Sequence, residues 1–182
     1  MRSSPRNRIF VATIAISMMA TSAFAQVGAA PMAFELAMID GSKFVRLADY
    51  SGKPVLLNFW GSECPPCLKE MPLLSSESKQ HPAVQFLGIA VDDRASAIRF
   101  LGRYPSNYPQ LVAPKSPEVL MRRFGNALGA LPYTVVLNAQ HQICTTHLGE
   151  VDAHWVEAAF ISCGIVDKSV AGNRSNNAPS AR

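Results

Sequence analysis

Seven residues, Pro54–Trp60 ("PVLLNFW"), carry no charge and only one polar side chain, Asn58. An apolar run of this length, bounded by glycine and proline, suits a strand covered on both faces. Covering both faces takes a layer on each side, which points to an α/β sandwich rather than an open sheet. A second run of the same kind, "AVQFLGIAV" (Ala83–Val91), supplies a neighbouring strand.

The first run feeds directly into "GSECPPCLKEMP" (Gly61–Pro72), which holds two of the chain's four cysteines. Cys64 and Cys67 flank Pro65 and Pro66. The stretch Pro65–Gln80 reads as a helix, because proline is tolerated in a first turn, with Pro72 as an internal kink. Residues three apart on a helix share a face, near enough to bridge. A helix N-terminus offers unpaired N–H groups and a partial positive charge. Both favour the thiolate, which is the nucleophile of disulfide exchange. The placement gives an exposed attacking sulfur, Cys64, and a recessed resolving sulfur, Cys67. Such a pair passes a disulfide to or from a partner protein and needs no cofactor.

The rest of the chain fits a mixed sheet. "FELAMIDGSKFVRLADYSGKP" reads as two short strands joined at Asp40-Gly41, a strong hairpin signal. Short helices are expected over "ASAIRFLGRY" and "PEVLMRRFG", with "PSNYPQLVAPKSP" as a Pro-rich connection between them. "YTVVLNAQHQICTTHLG" reads as two strands around a polar turn. "DAHWVEAAFISCGI" reads as a final helix, with Asp152 as its N-cap.

The N-terminus reads as a targeting segment. "MRSSPRNR" has three arginines and no acid, and the seventeen residues Ile9–Ala25 are uncharged and end in Ala-Phe-Ala. Residues 1–25 therefore read as a secretory signal. An uncleaved anchor is the alternative, since seventeen residues is at the short end for a membrane span. The expected domain is 26–166, and 167–182 is a polar tail without periodicity, read as disordered. The signal takes three arginines out of a chain whose formal net charge is +4. No long basic run remains, so there is no electrostatic case for nucleic acid. Outside the cytoplasm a disulfide persists.

"GKPVLLNFWGSECPPCLKEMP" resembles the active-site segment of the TlpA/ResA-like thiol–disulfide oxidoreductases, a branch of the thioredoxin superfamily. The resemblance extends over nearly all of the chain after the signal, including the hairpin, Pro72 and the later "LPYT". It implies a thioredoxin fold with an N-terminal β-hairpin extension. It also implies a cis-proline at Leu131-Pro132 facing the redox pair, in a partner groove formed with Trp60, Glu63, Pro65 and Pro66. Glu70 matches an acidic residue that tunes proton transfer in the family; the plain alternative is a solvated glutamate. Members are typically periplasmic or membrane-anchored, and often act as reductants in cytochrome c or copper-centre assembly. A membrane thiol-reducing transporter is the electron donor so implied. Three positions depart from the family. Glu63 replaces an aromatic residue, and its charge should oppose a very acidic Cys64. Asn58 stands where thioredoxins proper have a buried acid, and His141 stands at a turn position usually held by glycine.

Other readings remain beside this one. An oxidase of secreted thiols uses the same motif. A metal-binding chaperone would take Cu(I) or zinc on thiolates. Against a zinc centre joining "CPPC" to "CTTH", the pairs are far apart in sequence. Cys144 and His147, an odd number of residues apart on a strand, should also face opposite ways. Cys144 and Cys163 are candidates for a structural disulfide, or else two buried free thiols. His81, His141 and His154 read as surface residues, and Trp60 as packing beneath the loop.

Overall fold

The computed structural model describes residues 31–165. The expected signal and polar tail lie outside them, as do both ends of the expected domain. The elements are β1 (Glu35–Met38), β2 (Phe44–Arg46), β3 (Val55–Trp60), α1 (Pro65–Gln80), β4 (Gln85–Ala90) and α2 (Arg94–Arg103). They continue with β5 (Gln110–Val112), α3 (Pro117–Arg123), β6 (Tyr133–Leu137), β7 (Ile143–Leu148) and α4 (Ala153–Ser162). One sheet runs in the order β2-β1-β5-β4-β3-β6-β7. Strands β3, β4 and β5 are parallel, β6 and β7 return antiparallel, and the β1–β2 hairpin pairs antiparallel with β5. This is the expected mixed α/β sandwich.

Strand β3 is central, and all six of its residues are buried. Its side chains alternate between the two layers. Val55, Leu57 and Phe59 join a core with Leu87, Ile89, Val135 and Phe124 on one face. Leu56 packs with Leu74, Phe86, Val156 and Phe160 on the other. Trp60 meets Cys67, Met71 and Phe100 at the sheet's end. Asn58 shares the face of Leu56 and Trp60, so its amide points towards α1.

Two local expectations change. The Pro-rich connection contains a strand, β5, which bridges the hairpin to β4. The residues after β2 form a short 3-10 turn, Leu47–Tyr50.

The close packing of the sheet centre is testable. Gly88 on β4 lies against the Gln110 amide, so a Cβ there would collide with it. Gln110 accepts from Trp60 Nε1 at 2.8 Å and donates to Ser106 Oγ at 2.9 Å, so it is not free to retreat. Gly88→Ala should destabilise the fold by about 1–3 kcal/mol. Gly102→Ala, in α2 with open space around it, should stabilise by about 0.5–1 kcal/mol. Urea unfolding of both variants measures the contrast; equal shifts would show that the Gly88–Gln110 approach is not tight.

Candidate active site

Cys64 and Cys67 are joined as a disulfide, with their Cα atoms 5.3 Å apart. Cys64 is the N-cap of α1, and its sulfur accepts the Cys67 backbone N–H at 3.3 Å. That N–H is one of the unpaired donors of the first turn, and here it serves a sulfur. Cys64 is half-buried and Cys67 fully buried. Solvent and partners therefore reach one sulfur only, as the spacing implies.

The loop before Cys64 is fastened from below. The Ser62 N–H donates to the Asp92 carboxylate, just beyond β4. Trp60 is fully buried, stacks on Phe100 at 4.7 Å, and donates to Gln110. Trp60 thus supports the loop and does not line the partner groove, which corrects its inclusion there. Opposite, the Leu131-Pro132 peptide is cis. Leu131 is half-buried against Gly61, and Pro132 is buried. Glu63 and Pro65 are exposed and Pro66 is half-buried, so these three and Leu131 form the reachable rim.

Glu70 follows Cys67 by one turn on the buried side of α1 and is itself fully buried. The solvated alternative is therefore excluded. Asn58 Nδ2 donates to Glu70 Oε1 at 2.7 Å and to Thr134 Oγ1 at 3.2 Å, and the Val151 N–H donates to Oε2 at 3.1 Å. Burial pushes the carboxyl up to about 7, although the hydrogen bonds from Asn58 and Val151 pull it down; the charge of Glu150 adds to the rise. Asn58 Oδ1 is buried without a partner. A carboxyl that ionises near neutrality can take up or release a proton under working conditions. Asn58, Thr134 and the Val151 backbone had no assigned role in the sequence reading. The lone polar residue in β3 was the available signal.

Glu63 lines a cleft of about 280 Å³ together with Ser62, Leu68, Arg99 and Arg103. The two arginines come from α2 and line the same cleft.

The second cysteine pair lies elsewhere. Cys144 is exposed and Cys163 half-buried, and both are free thiols near enough for Cys144 to perturb Cys163. Pairing of β6 with β7 shifts register between Val136 and Leu137: Val136 faces Thr145 while Leu137 faces Ile143. Cys144 is the extra residue of this bulge. The bulge defeats the alternation argument. Cys144 lies near Cys163 at the end of α4, while His147 packs on Trp155 of α4 at 5.0 Å. Both face the same helix. Register also places Cys144 beside Leu137 and Val55, at the far end of the sheet from Trp60 and the redox pair. One metal centre cannot join the two pairs. No group of three or more metal-ligating side chains is assembled among the described residues.

Two histidines expected at the surface are buried. His81 is buried against Phe160, with Nε2 3.3 Å from Glu77 and 3.7 Å from Glu157. His141 is buried at a positive φ of 57°, with Nε2 3.2 Å from the Tyr50 carbonyl. His154 is exposed as expected.

Comparison with known proteins shows the family. The AhpC/TSA family model matches residues 27–146. The thiol-disulfide oxidoreductase ResA of Halalkalibacterium halodurans is 31% identical over 144 residues, covering 76% of this chain and 77% of that one. ResA of Bacillus subtilis is 31% identical over 104 residues, 56% of each chain. Among solved structures, the exposed lipoprotein thioredoxin Etrx1 of Streptococcus pneumoniae gives a TM-score of 0.61 at 26% identity, covering 70% of this chain and 98% of that one. StoA of Bacillus subtilis gives 0.58 at 24% identity, with 72% and 98% covered. The chain belongs to the thioredoxin-like AhpC/TSA family, and is a thiol–disulfide oxidoreductase of the ResA type.

Proposed function

We propose that this protein works outside the cytoplasm as a reductant of protein disulfides, with Cys64 attacking and Cys67 resolving. The observation that carries the reading is the asymmetry of the pair: a reachable Cys64 capping α1, and a buried Cys67 one turn before a buried Glu70 that ionises near neutrality. In the reduced protein, the Cys64 thiolate attacks a partner disulfide and one partner sulfur leaves as a thiolate. Cys67 then gives up its proton to Glu70 and strikes Cys64. The second partner sulfur leaves, and the Cys64–Cys67 disulfide remains. Pro132 and Leu131 shape the groove that receives the partner, with Glu63, Pro65 and Pro66 on its rim. A membrane thiol-reducing transporter restores the dithiol. The substrates are proteins whose cysteines must be reduced before a haem or copper centre is installed. The N-terminal signal supports a periplasmic location, with an inner-membrane anchor as its uncleaved form.

Direction is read by equilibrating the pair with glutathione. A reductant should lie nearer thioredoxin's potential of about −270 mV than the −120 mV of a strong oxidant. A value above about −150 mV makes the protein an oxidase of secreted thiols instead.

Roles are read by trapping. Cys67→Ser, expressed in the native compartment, should accumulate mixed disulfides that dithiothreitol dissolves, and Cys64→Ser should give few or none. Equal trapping by both would overturn the order of attack. The trapped proteins identify the substrates.

Glu70 should leave a mark on both rate and stability. Glu70→Gln should slow disulfide release about 100-fold and flatten its pH dependence around neutrality. The linkage to folding has a definite sign. The carboxyl's value rises from 4.5 unfolded to about 7 folded. Between those values the folded chain holds a proton that the unfolded chain has released. Stability should therefore fall as pH rises through this window, by on the order of 3 kcal/mol, and Glu70→Gln should remove that fall. Urea midpoints at about pH 4.5 and about pH 8 test it; an unchanged slope in the variant would assign the effect to another group.

A further inference from the structure

We propose that Cys144 and Cys163 are a second redox pair, whose disulfide ties the end of α4 to the edge strand β7. The backbone brings them together by two independent devices. On β7, the bulge makes Cys144 the residue without a partner on β6, and a bulge re-aims the side chain it carries. The result, with β7 packed on α4 through His147 and Trp155, is proximity to Cys163. On α4, Cys163 is the C-cap residue. The turn after it is closed by two hydrogen bonds, Gly164 N–H to the Ile161 carbonyl and Ile165 N–H to the Phe160 carbonyl, with Gly164 at a φ of 67°. This is a Schellman closure, which fixes the direction in which the chain leaves the helix. Neither sulfur sits on a loose segment. Further along, His147 and Trp155 hold strand and helix together, so the cysteines close the far end of a seam that is already packed.

The two thiols differ as an attacking and a resolving sulfur should. Cys144 is exposed and Cys163 half-buried. Burial, reinforced by the hydrogen bond with Cys144 and by the charge of Cys144, pushes the Cys163 thiol up to about 12. Cys144 is therefore the one to react first. Its thiolate attacks a disulfide of an external oxidant, such as glutathione disulfide or an oxidised protein, and releases one thiolate. The mixed bond removes the Cys144 charge that had opposed ionisation of Cys163. Cys163 then loses its proton, attacks the Cys144 sulfur and expels the second thiolate. The chain has lost two protons and two electrons, and the oxidant's disulfide has become two thiols. Cys64–Cys67 of the same molecule cannot be that oxidant, because it lies at the other end of the sheet.

The test uses a Cys64→Ser/Cys67→Ser variant, which leaves only the second pair. The variant is incubated with glutathione disulfide, alkylated without reduction and weighed. The expected product is a monomer that has lost two hydrogens and accepts no alkyl group. Its thermal midpoint should exceed that of the reduced form by on the order of 10 °C, since the bond closes a nineteen-residue loop. Cys144→Ser in the same background should abolish the rise. Two alkylated cysteines, two persistent glutathione adducts, or a dimer joined through Cys144 would each overturn the pairing. The unsubstituted protein provides a check that needs no variant. A non-reducing proteolytic digest, made after glutathione oxidation, should link the peptides bearing Cys144 and Cys163; their recovery as separate peptides would overturn the proposal in the native chain.

Discussion

Burial of β3 on both faces is the constraint on which the site depends. A strand with no solvent face cannot slip by one residue without moving every side chain into the wrong layer. Its register with β4 and β6 is therefore fixed along its whole length. Two consequences meet at its end. Trp60 is locked under the loop by Phe100 and Gln110, so the chain enters α1 at a set position and presents Cys64 as the cap. Asn58, two residues earlier on the same face, meets α1 at Glu70. The sulfur pair and the carboxyl behind it are thus held by one strand.

The sequence disclosed most of this because the relevant signals are local. An uncharged run predicts a buried strand, proline in the first turn predicts a helix start, and a spacing of three predicts a bridge; α1 spans Pro65–Gln80 as read. Asp152 caps α4 as expected, accepting the Trp155 N–H at 2.7 Å. What was hidden depends on partners distant in the chain. Strand β5 has three residues between Pro109 and Pro114, too few for periodicity to register, and it exists because β1 and β4 flank it. The bulge at Cys144 is a property of the β6–β7 pairing, invisible in β7 alone. The burial of Glu70 requires Val151, 81 residues later, to close over it. His81 looked polar and exposed, yet its ring fills a space beside Phe160 while two glutamates satisfy one nitrogen.

The electrostatic reading of Glu63 shows the same limit. Its position beside Cys64 is plain in the sequence, and a carboxylate there should oppose a thiolate. Two arginines that share its cleft come from α2, more than thirty residues away. The cleft beside the attacking sulfur is thus lined by both the active-site loop and α2.

The pairing of Asn58 with Glu70 explains why an amide, rather than a second acid, suits this position in β3. Two buried carboxyls would have to share one proton, because both cannot ionise side by side. An amide imposes no such restriction. With Nδ2 towards the carboxylate, as observed at 2.7 Å, it stabilises the charged form. Rotation about its last torsion would present Oδ1, which has no partner, to the O–H of the neutral acid. Amide nitrogen and oxygen exchange places at little steric cost. Such a rotation would satisfy the neutral acid in exchange for the Nδ2 bond to Thr134 Oγ1, while the Val151 N–H anchors the other oxygen. The proton relay proposed for Glu70 needs a partner of this kind. One locked as a donor would hold the carboxyl ionised, and one locked as an acceptor would hold it neutral.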